Sequence, residues 1–164
     1  MRLWHKDLIG VLPRQQLLAQ WRELNSIYKK QDNHILINFV YEYPKEQLLF
    51  YSDLIINEFD KRGYKIRNLD NYKHYFADVA ENALRMYGIL HNVFIYSQIY
   101  PKKMDEKYLR QCLYNLEEKA MCGGMTKEEW KKIYNKYKDR FVLWEGDRDE
   151  KERMGNSNWI VTCK

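Results

Sequence analysis

Apolar residues recur every three or four positions along much of this chain, and this period constrains its fold more than any other feature. The first stripe begins just after Pro13, a residue that favours the first turn of a helix. Its apolar positions are Leu17, Trp21, Leu24 and Tyr28. A second stripe lies between Pro44 and Gly63, a typical helix stop, and comprises Leu48, Tyr51, Ile55 and Phe59. We predict an amphipathic helix for each stripe, the first beginning near residue 13 and the second spanning residues 44–62.

Capping signals predict three more helices. A helix capped by Asp70 or Asn71 would run to Tyr87. A helix capped by Asp105 would run to Met121, where two glycines follow. The sequence TKEE at residues 126–129 is a capping-box pattern that opens a fifth helix.

Residues 34–43, HILINFVYEY, leave two interpretations open. Their β-branched and aromatic side chains favour a strand, but an isolated strand would have no partner, so an irregular or helical segment is equally consistent. The 164-residue chain has only 7 Gly and 3 Pro, which argues against a turn-rich β-sandwich. We therefore predict an all-α fold, with a single compact multi-helix domain over residues 1–164 on which a charged tail, residues 145–164, packs.

Composition excludes several classes of function. The chain lacks phosphate-binding glycine loops, HExxH and GxSxG, and its four histidines lack paired metal spacing, so we expect neither metal nor cofactor. The three cysteines form no CxxC pair, which suits a reducing cytoplasm, and no apolar run is long enough to cross a membrane. A net charge of +5 beside 14 Tyr and 5 Trp is compatible with a nucleic-acid partner but too modest to show one. We expect a cytoplasmic monomer.

One carboxylate of the first predicted helix falls at the edge of its buried face. On a helical wheel Glu23 lies beside Ala19 and Ile27, between the apolar stripe and the exposed sector that contains Arg22. Ala19, one turn earlier, is small enough to leave a hollow above the carboxylate. This geometry suits a partly buried acid, although most helical glutamates are solvated.

Two blocks of sequence carry a family resemblance. The first comprises Leu8, Leu12, Gln15, Leu17, Ala19, Trp21, Arg22, Glu23 and Leu24. The second is LIINE at residues 54–58 followed by KRGYKI at residues 61–66. In this order and spacing they resemble the phage pyrimidine-dimer DNA glycosylase and AP lyase family, the endonuclease V type, over about residues 1–67. The opening MRLWHKDLI with LPRQQLL is closer to a bacterial and phage branch of unassigned substrate.

The resemblance implies a reaction and roles for individual residues. The nucleophile would be the chain's own α-amine, which we place on Met1 because the bulky Arg2 favours retention of the initiator methionine. The amine would attack C1′ of the damaged nucleotide, and Glu23 would assist the proton transfers of the reaction, which would need no metal. The partner would be double-stranded DNA that contains a lesion or an abasic site. Residues implied in DNA binding are Arg2, Arg14, Gln15, Arg22, Lys29, Lys30 and His34.

The chain also departs from the family pattern. Ser26 stands where the family has a second arginine, and Gln16 stands where it has a histidine. The family's aromatic and basic C-terminal run has no clear equivalent, so pyrimidine dimers are the default substrate rather than a derived one. A catalytically inactive nucleic-acid-binding protein of the same fold is the alternative, and a helical protein-binding module would follow from an accidental likeness. Rings that could stack on bases, or more simply fill the core, are Tyr72, Tyr75 and Phe76.

Overall fold

The structure is a computed structural model that describes residues 2–31, 34–79, 96–97 and 99–141. Within these ranges helices are the only regular elements, which confirms the predicted all-α class. The α-helices are α1 (Arg14–Lys29), α2 (Lys45–Lys61), α3 (Leu69–Tyr75), α4 (Glu106–Met121) and α5 (Lys127–Tyr137). Three short 3₁₀ helices span Lys6–Val11, Asn38–Glu42 and Lys138–Arg140. None of the helices in this part of the chain is long and apolar enough to span a membrane.

The two long N-terminal helices form where the apolar stripes predict them. Pro13 is the N-cap of α1 and Pro44 that of α2, since a fixed proline φ suits the entry to a helix. Gly63 follows α2 with φ of +66°, a left-handed conformation that ends the helix at little cost for glycine. All eight stripe residues are buried, as predicted.

Two C-terminal helices also follow their capping signals. The Asp105 carboxylate accepts a hydrogen bond from the Tyr108 N–H at the start of α4, and Gly123 follows the end of this helix with φ of +73°. At the start of α5, Thr126 and Glu129 form the complete capping box. These local signals therefore set both ends of α4 and the start of α5.

The prediction for α3 is wrong in both its cap and its length. The helix begins after Asn68, whose φ is +58°, and neither Asp70 nor Asn71 caps it. The Asn71 amide instead donates to the side-chain oxygen of Asn25 in α1, at 2.9 Å. The helix ends at Tyr75 rather than Tyr87, because Phe76 leaves helical dihedrals where its ring becomes buried. Residues 80–95 lie outside the described residues.

The segment 34–43 takes the helical alternative, as a turn followed by the 3₁₀ helix Asn38–Glu42. Ile37, Phe39 and Val40 point into the core, which explains the β-branched and aromatic composition without a strand. The predicted tail, residues 145–164, lies outside the described residues.

The N-terminal segment, residues 2–12, is part of the core rather than an appendage. Leu3, Leu8 and Leu12 are each at most 1% exposed. The 3₁₀ helix within this segment packs on α2 and α5, while α1 packs on α2 and α3. The start of the chain is therefore held between helices that lie far from it in sequence.

Arg62, just after α2, fastens this N-terminal segment to the rest of the molecule. Its guanidinium donates to Glu58 at 2.6 Å and to the backbone carbonyl of Leu12 at 2.7 Å. A third contact reaches the carbonyl of Ile9 at 3.4 Å. Because Glu58 is only 9% exposed, this ion pair is shielded from solvent.

We expect Arg62→Met to lower the free energy of unfolding by about 2–3 kcal/mol, since it leaves Glu58 and two carbonyls without their donor. The exposed i, i+4 pair of Glu106 and Arg110 provides the matched control, and Arg110→Met should cost at most about 0.5 kcal/mol. Urea unfolding followed by circular dichroism measures both values. Equal losses would contradict this role for Arg62.

Candidate active site

Glu23 lies half-buried near the middle of α1 and faces the first residues of the chain. Its Oε2 atom accepts a hydrogen bond from the backbone N–H of Arg2 at 3.4 Å. The same oxygen accepts from Nε2 of Gln20 at 3.3 Å. The carboxylate is therefore held by one donor from the N-terminal segment and one from its own helix.

Three elements fix the N-terminal segment over α1. From α1, Oε1 of Gln20 accepts from the Trp4 N–H at 2.8 Å. From α2, the Tyr51 hydroxyl donates to the Trp4 carbonyl at 2.8 Å. From α4, the Tyr108 hydroxyl donates to the Leu3 carbonyl at 2.5 Å. These buried hydrogen bonds hold the backbone of Leu3 and Trp4 against three helices.

Gln20 is the central residue of this arrangement, and reasoning from the sequence missed it. It is fully buried, and its two amide atoms bind different partners, the Trp4 N–H and the Glu23 carboxylate. The opposite amide orientation would set the NH₂ group against an N–H and the oxygen against a carboxylate, so the assignment follows from the partners. The available signal was a polar residue on the buried side of α1, three positions before Glu23.

Burial raises the pKa of Glu23 above its ordinary value. The Arg2 N–H and the positive charge of Arg22 oppose this shift but do not cancel it. A carboxyl group whose pKa is raised toward neutrality can both hold and release a proton in a reaction, which is what a general acid and base requires.

The predicted DNA-binding residues divide into two groups. Around Glu23, Arg22 is exposed on the outer face of α1, and His34 is close enough for its charge to act on the carboxylate. The Arg2 guanidinium lies 3.5 Å from the backbone carbonyl of Gln111 in α4. Exposed Lys29 and Lys30 follow at the C-terminal end of α1.

Arg14 and Gln15 belong to the opposite end of α1. At a rise of 1.5 Å per residue, Arg14 lies about 13 Å along the helix axis from Glu23. Its guanidinium stacks over the ring of Tyr64 at 5.5 Å, and its backbone N–H donates to Glu129. The structure therefore does not bring these two residues to the carboxylate.

Two aromatic residues of α3 and Phe76, which follows that helix, surround Tyr28 of α1. Ring centroids of Tyr72, Tyr75 and Phe76 lie 6.2, 5.3 and 5.5 Å from that of Tyr28. The Tyr72 hydroxyl also donates to Asp53 at 2.6 Å. These contacts favour the interpretation of the three rings as core residues over stacking on bases.

The predicted nucleophile, Met1, lies outside the described residues. Among those that are described, no group of three or more His, Cys, Asp or Glu side chains is placed to hold a metal ion. The described part of the site presents a carboxyl group beside the beginning of the chain, with the cationic side chains of Arg2 and Arg22 in the same region.

The fold and the site define a small all-α protein whose first residues are bound against a half-buried glutamate. Residues 1–72 match the model of a family described as pyrimidine dimer DNA glycosylase. The matched residues include all nine predicted site residues, so the similarity to that family covers the candidate site. No curated protein and no solved structure matches the chain.

We expect Glu23→Gln to stabilise the protein at neutral pH, because burial opposes ionisation of the native carboxyl. The raised pKa means that the folded state binds the proton more tightly than the unfolded state does. The gain should be complete above the folded-state pKa and should vanish below the ordinary value of 4.5, where both states are protonated.

Thermal unfolding of both proteins between pH 3.5 and pH 8 measures this difference. Glutamine retains a carbonyl oxygen for the Arg2 N–H, so the substitution changes charge with little change of shape. A difference in melting temperature that does not vary with pH would argue against an elevated pKa at Glu23.

Proposed function

We propose that this protein is a DNA glycosylase with AP-lyase activity, in which the α-amine of Met1 is the nucleophile and Glu23 the acid–base group. Its substrate would be a damaged or modified base, by default a pyrimidine dimer. The observation that carries the proposal is the 3.4 Å hydrogen bond between the Arg2 N–H and Glu23 Oε2. The family match over residues 1–72 supports the same class of reaction.

Covalent geometry supports the pairing of amine and carboxylate. One residue spans at most about 3.6 Å, so the nitrogen that precedes Arg2 by one residue can lie no more than about 7 Å from Glu23 Oε2. An α-amine has an ordinary pKa of about 8, well below that of a lysine, so a useful fraction is neutral and nucleophilic near pH 7.

The proposed reaction begins when the amine nitrogen attacks C1′ of the damaged nucleotide. The glycosidic bond breaks, its electron pair leaves with the base, and the base takes up a proton. The attacking nitrogen then loses a proton. The C1′–O4′ bond opens, O4′ is protonated, and a protonated Schiff base results. Glu23 would supply the proton to O4′ and, once ionised, would stabilise the iminium charge.

The lyase step, in which the DNA strand is cut, uses the same carboxylate as the base. Ionised Glu23 would remove a proton from C2′, whose acidity the iminium raises. The C2′–H electron pair forms the C1′–C2′ enamine and then the C2′–C3′ double bond, as the C3′–O bond breaks and the phosphate departs. A carboxyl group with a raised pKa suits both steps, because it is a stronger base than an ordinary glutamate and a better donor near neutrality.

The proposal is tested by mixing the protein with an abasic duplex and adding borohydride, which reduces the Schiff base to a stable covalent adduct. We expect the wild-type protein to form a covalent adduct and Glu23→Gln to form it about 100-fold more slowly or worse. An exposed glutamate in the first turn of α5 supplies the control, so Glu128→Gln should behave as the wild type. Acetylation of the N-terminus, checked by mass spectrometry, should abolish the adduct.

The other outcomes of this experiment identify the alternatives. DNA binding without an adduct would indicate a catalytically inactive member of the same fold, for which the Ser26 and Gln16 departures are the motivating observation. Absence of DNA binding would favour a helical protein-binding module. An ultraviolet-irradiated duplex, tested beside the abasic one, separates glycosylase activity from lyase activity alone.

The proposed DNA-binding face surrounds the carboxylate. Arg22 would contact a phosphate beside the extruded nucleotide, with its planar guanidinium forming charge-assisted hydrogen bonds. The rest of this face would comprise Arg2, Lys29, Lys30 and His34. At the other end of α1, Arg14 and Gln15 would contact the duplex further from the damage, or support the helix.

We expect Arg22→Ala to weaken binding to an abasic duplex and to reduce the salt dependence of binding. Loss of one phosphate contact should lower the slope of log K against log salt by about 0.9. Lys131→Ala, an exposed cation of α5, should leave the slope unchanged. Fluorescence anisotropy at several salt concentrations measures both, and equal slopes for all three proteins would remove Arg22 from the interface.

A further inference from the structure

Two adjacent apolar side chains project into solvent from the turn that precedes the 3₁₀ helix Asn38–Glu42. Ile35 is 84% exposed and Leu36 is 41% exposed. Single exposed apolar residues are common on protein surfaces, but an adjacent pair on an ordered turn is not explained by packing. We call residues 34–37 the HILI turn.

Local hydrogen bonds and one buried side chain hold the HILI turn in place. The His34 carbonyl accepts hydrogen bonds from the N–H groups of Ile37 at 2.9 Å and Asn38 at 3.1 Å. The His34 ring accepts from the Leu36 N–H at 3.2 Å. Ile37 is fully buried and anchors the end of the turn in the core. The backbone that carries the two exposed side chains is therefore held by three local hydrogen bonds.

The turn begins within electrostatic range of the candidate active site. In its protonated form His34, the first residue of the turn, acts electrostatically on the Glu23 carboxylate. The exposed cations Lys29 and Lys30 lie at the end of α1, just ahead of the turn in sequence. An apolar tip beside cationic side chains is complementary to duplex DNA, which has charged backbones around an apolar base stack.

We propose that Ile35 and Leu36 form a wedge that enters the base stack of duplex DNA beside the damaged nucleotide. This inference rests on the proposed function, because a nucleotide that reacts at C1′ must leave the stack. Extrusion opens a gap whose neighbouring bases lose stacking contacts, and apolar side chains can fill such a gap. The ordered turn would present them without a further cost of ordering.

The test uses an abasic duplex with 2-aminopurine beside the abasic site, since the fluorescence of this base rises when an inserted side chain pushes the base itself out of the stack. We expect the wild-type protein to raise the fluorescence and the double variant Ile35→Ser, Leu36→Ser to lose most of this rise at saturating protein. The single-turnover rate of strand cleavage should fall about tenfold on the duplex. On single-stranded abasic DNA, which has no stack to open, it should change less than twofold.

Met121→Ser is the matched control, because Met121 is 40% exposed and lies at the end of α4. It should leave both the fluorescence rise and the duplex rate at wild-type values. Far-ultraviolet circular dichroism of each variant establishes that the fold is retained. The single variants Ile35→Ser and Leu36→Ser show how much of the fluorescence rise depends on each side chain. We expect the larger decrease from Ile35→Ser, because Ile35 is the more exposed residue.

The outcomes separate the wedge from the proposed reaction. If the wild-type protein forms the adduct but gives no fluorescence rise, the wedge is overturned and the lyase reaction stands. The same conclusion follows if the double variant retains both the fluorescence rise and the cleavage rate on the duplex. A rise that depends on Ile35 and Leu36 without any adduct supports the wedge in a protein that only binds DNA. Equal slowing of cleavage on duplex and single strand also overturns the wedge, since it indicates damage to the active site.

Discussion

The buried amide of Gln20 joins the start of the chain to the carboxylate of Glu23. Its oxygen binds the Trp4 N–H and its nitrogen binds Glu23, so one side chain sets the distance between the two parts of the candidate site. A buried amide left without either partner would lose the hydrogen bonds that offset its desolvation. The requirement to satisfy Gln20 therefore places the N-terminal segment over α1, and the site follows from this placement.

The two sequence blocks that carry the family likeness form one structural unit. The first block provides α1 with Glu23. In the second, Arg62 binds backbone carbonyls at the C-terminal end of the first 3₁₀ helix, and Gly63 ends α2 in the left-handed conformation that this geometry requires. Tyr64 then packs against Phe59 and beneath Arg14. The second block thus supports the segment that packs on the first block, so the two blocks depend on each other structurally.

Much of the fold follows from local signals. The stripes of α1 and α2 and the caps at Asp105 and Thr126 act within one or two turns of the chain, so the sequence alone locates these helices. The prediction failed at α3 because its side chains bind distant residues. In α3 the Asn71 amide donates to Asn25, and the helix ends where the Phe76 ring is buried. No local sequence pattern contains either contact.

The sequence by itself determined that Glu23 would lie at the half-buried edge of an amphipathic helix, because the period of the apolar residues fixes which face is buried. It could not bring that carboxylate to Arg2, which is 21 positions away. Only the tertiary structure decided this contact, since Gln20, Tyr51 and Tyr108 from three separate helices must meet around residues 3 and 4. Hydrogen bonds between such distant residues depend on how the helices pack, and no local spacing encodes them.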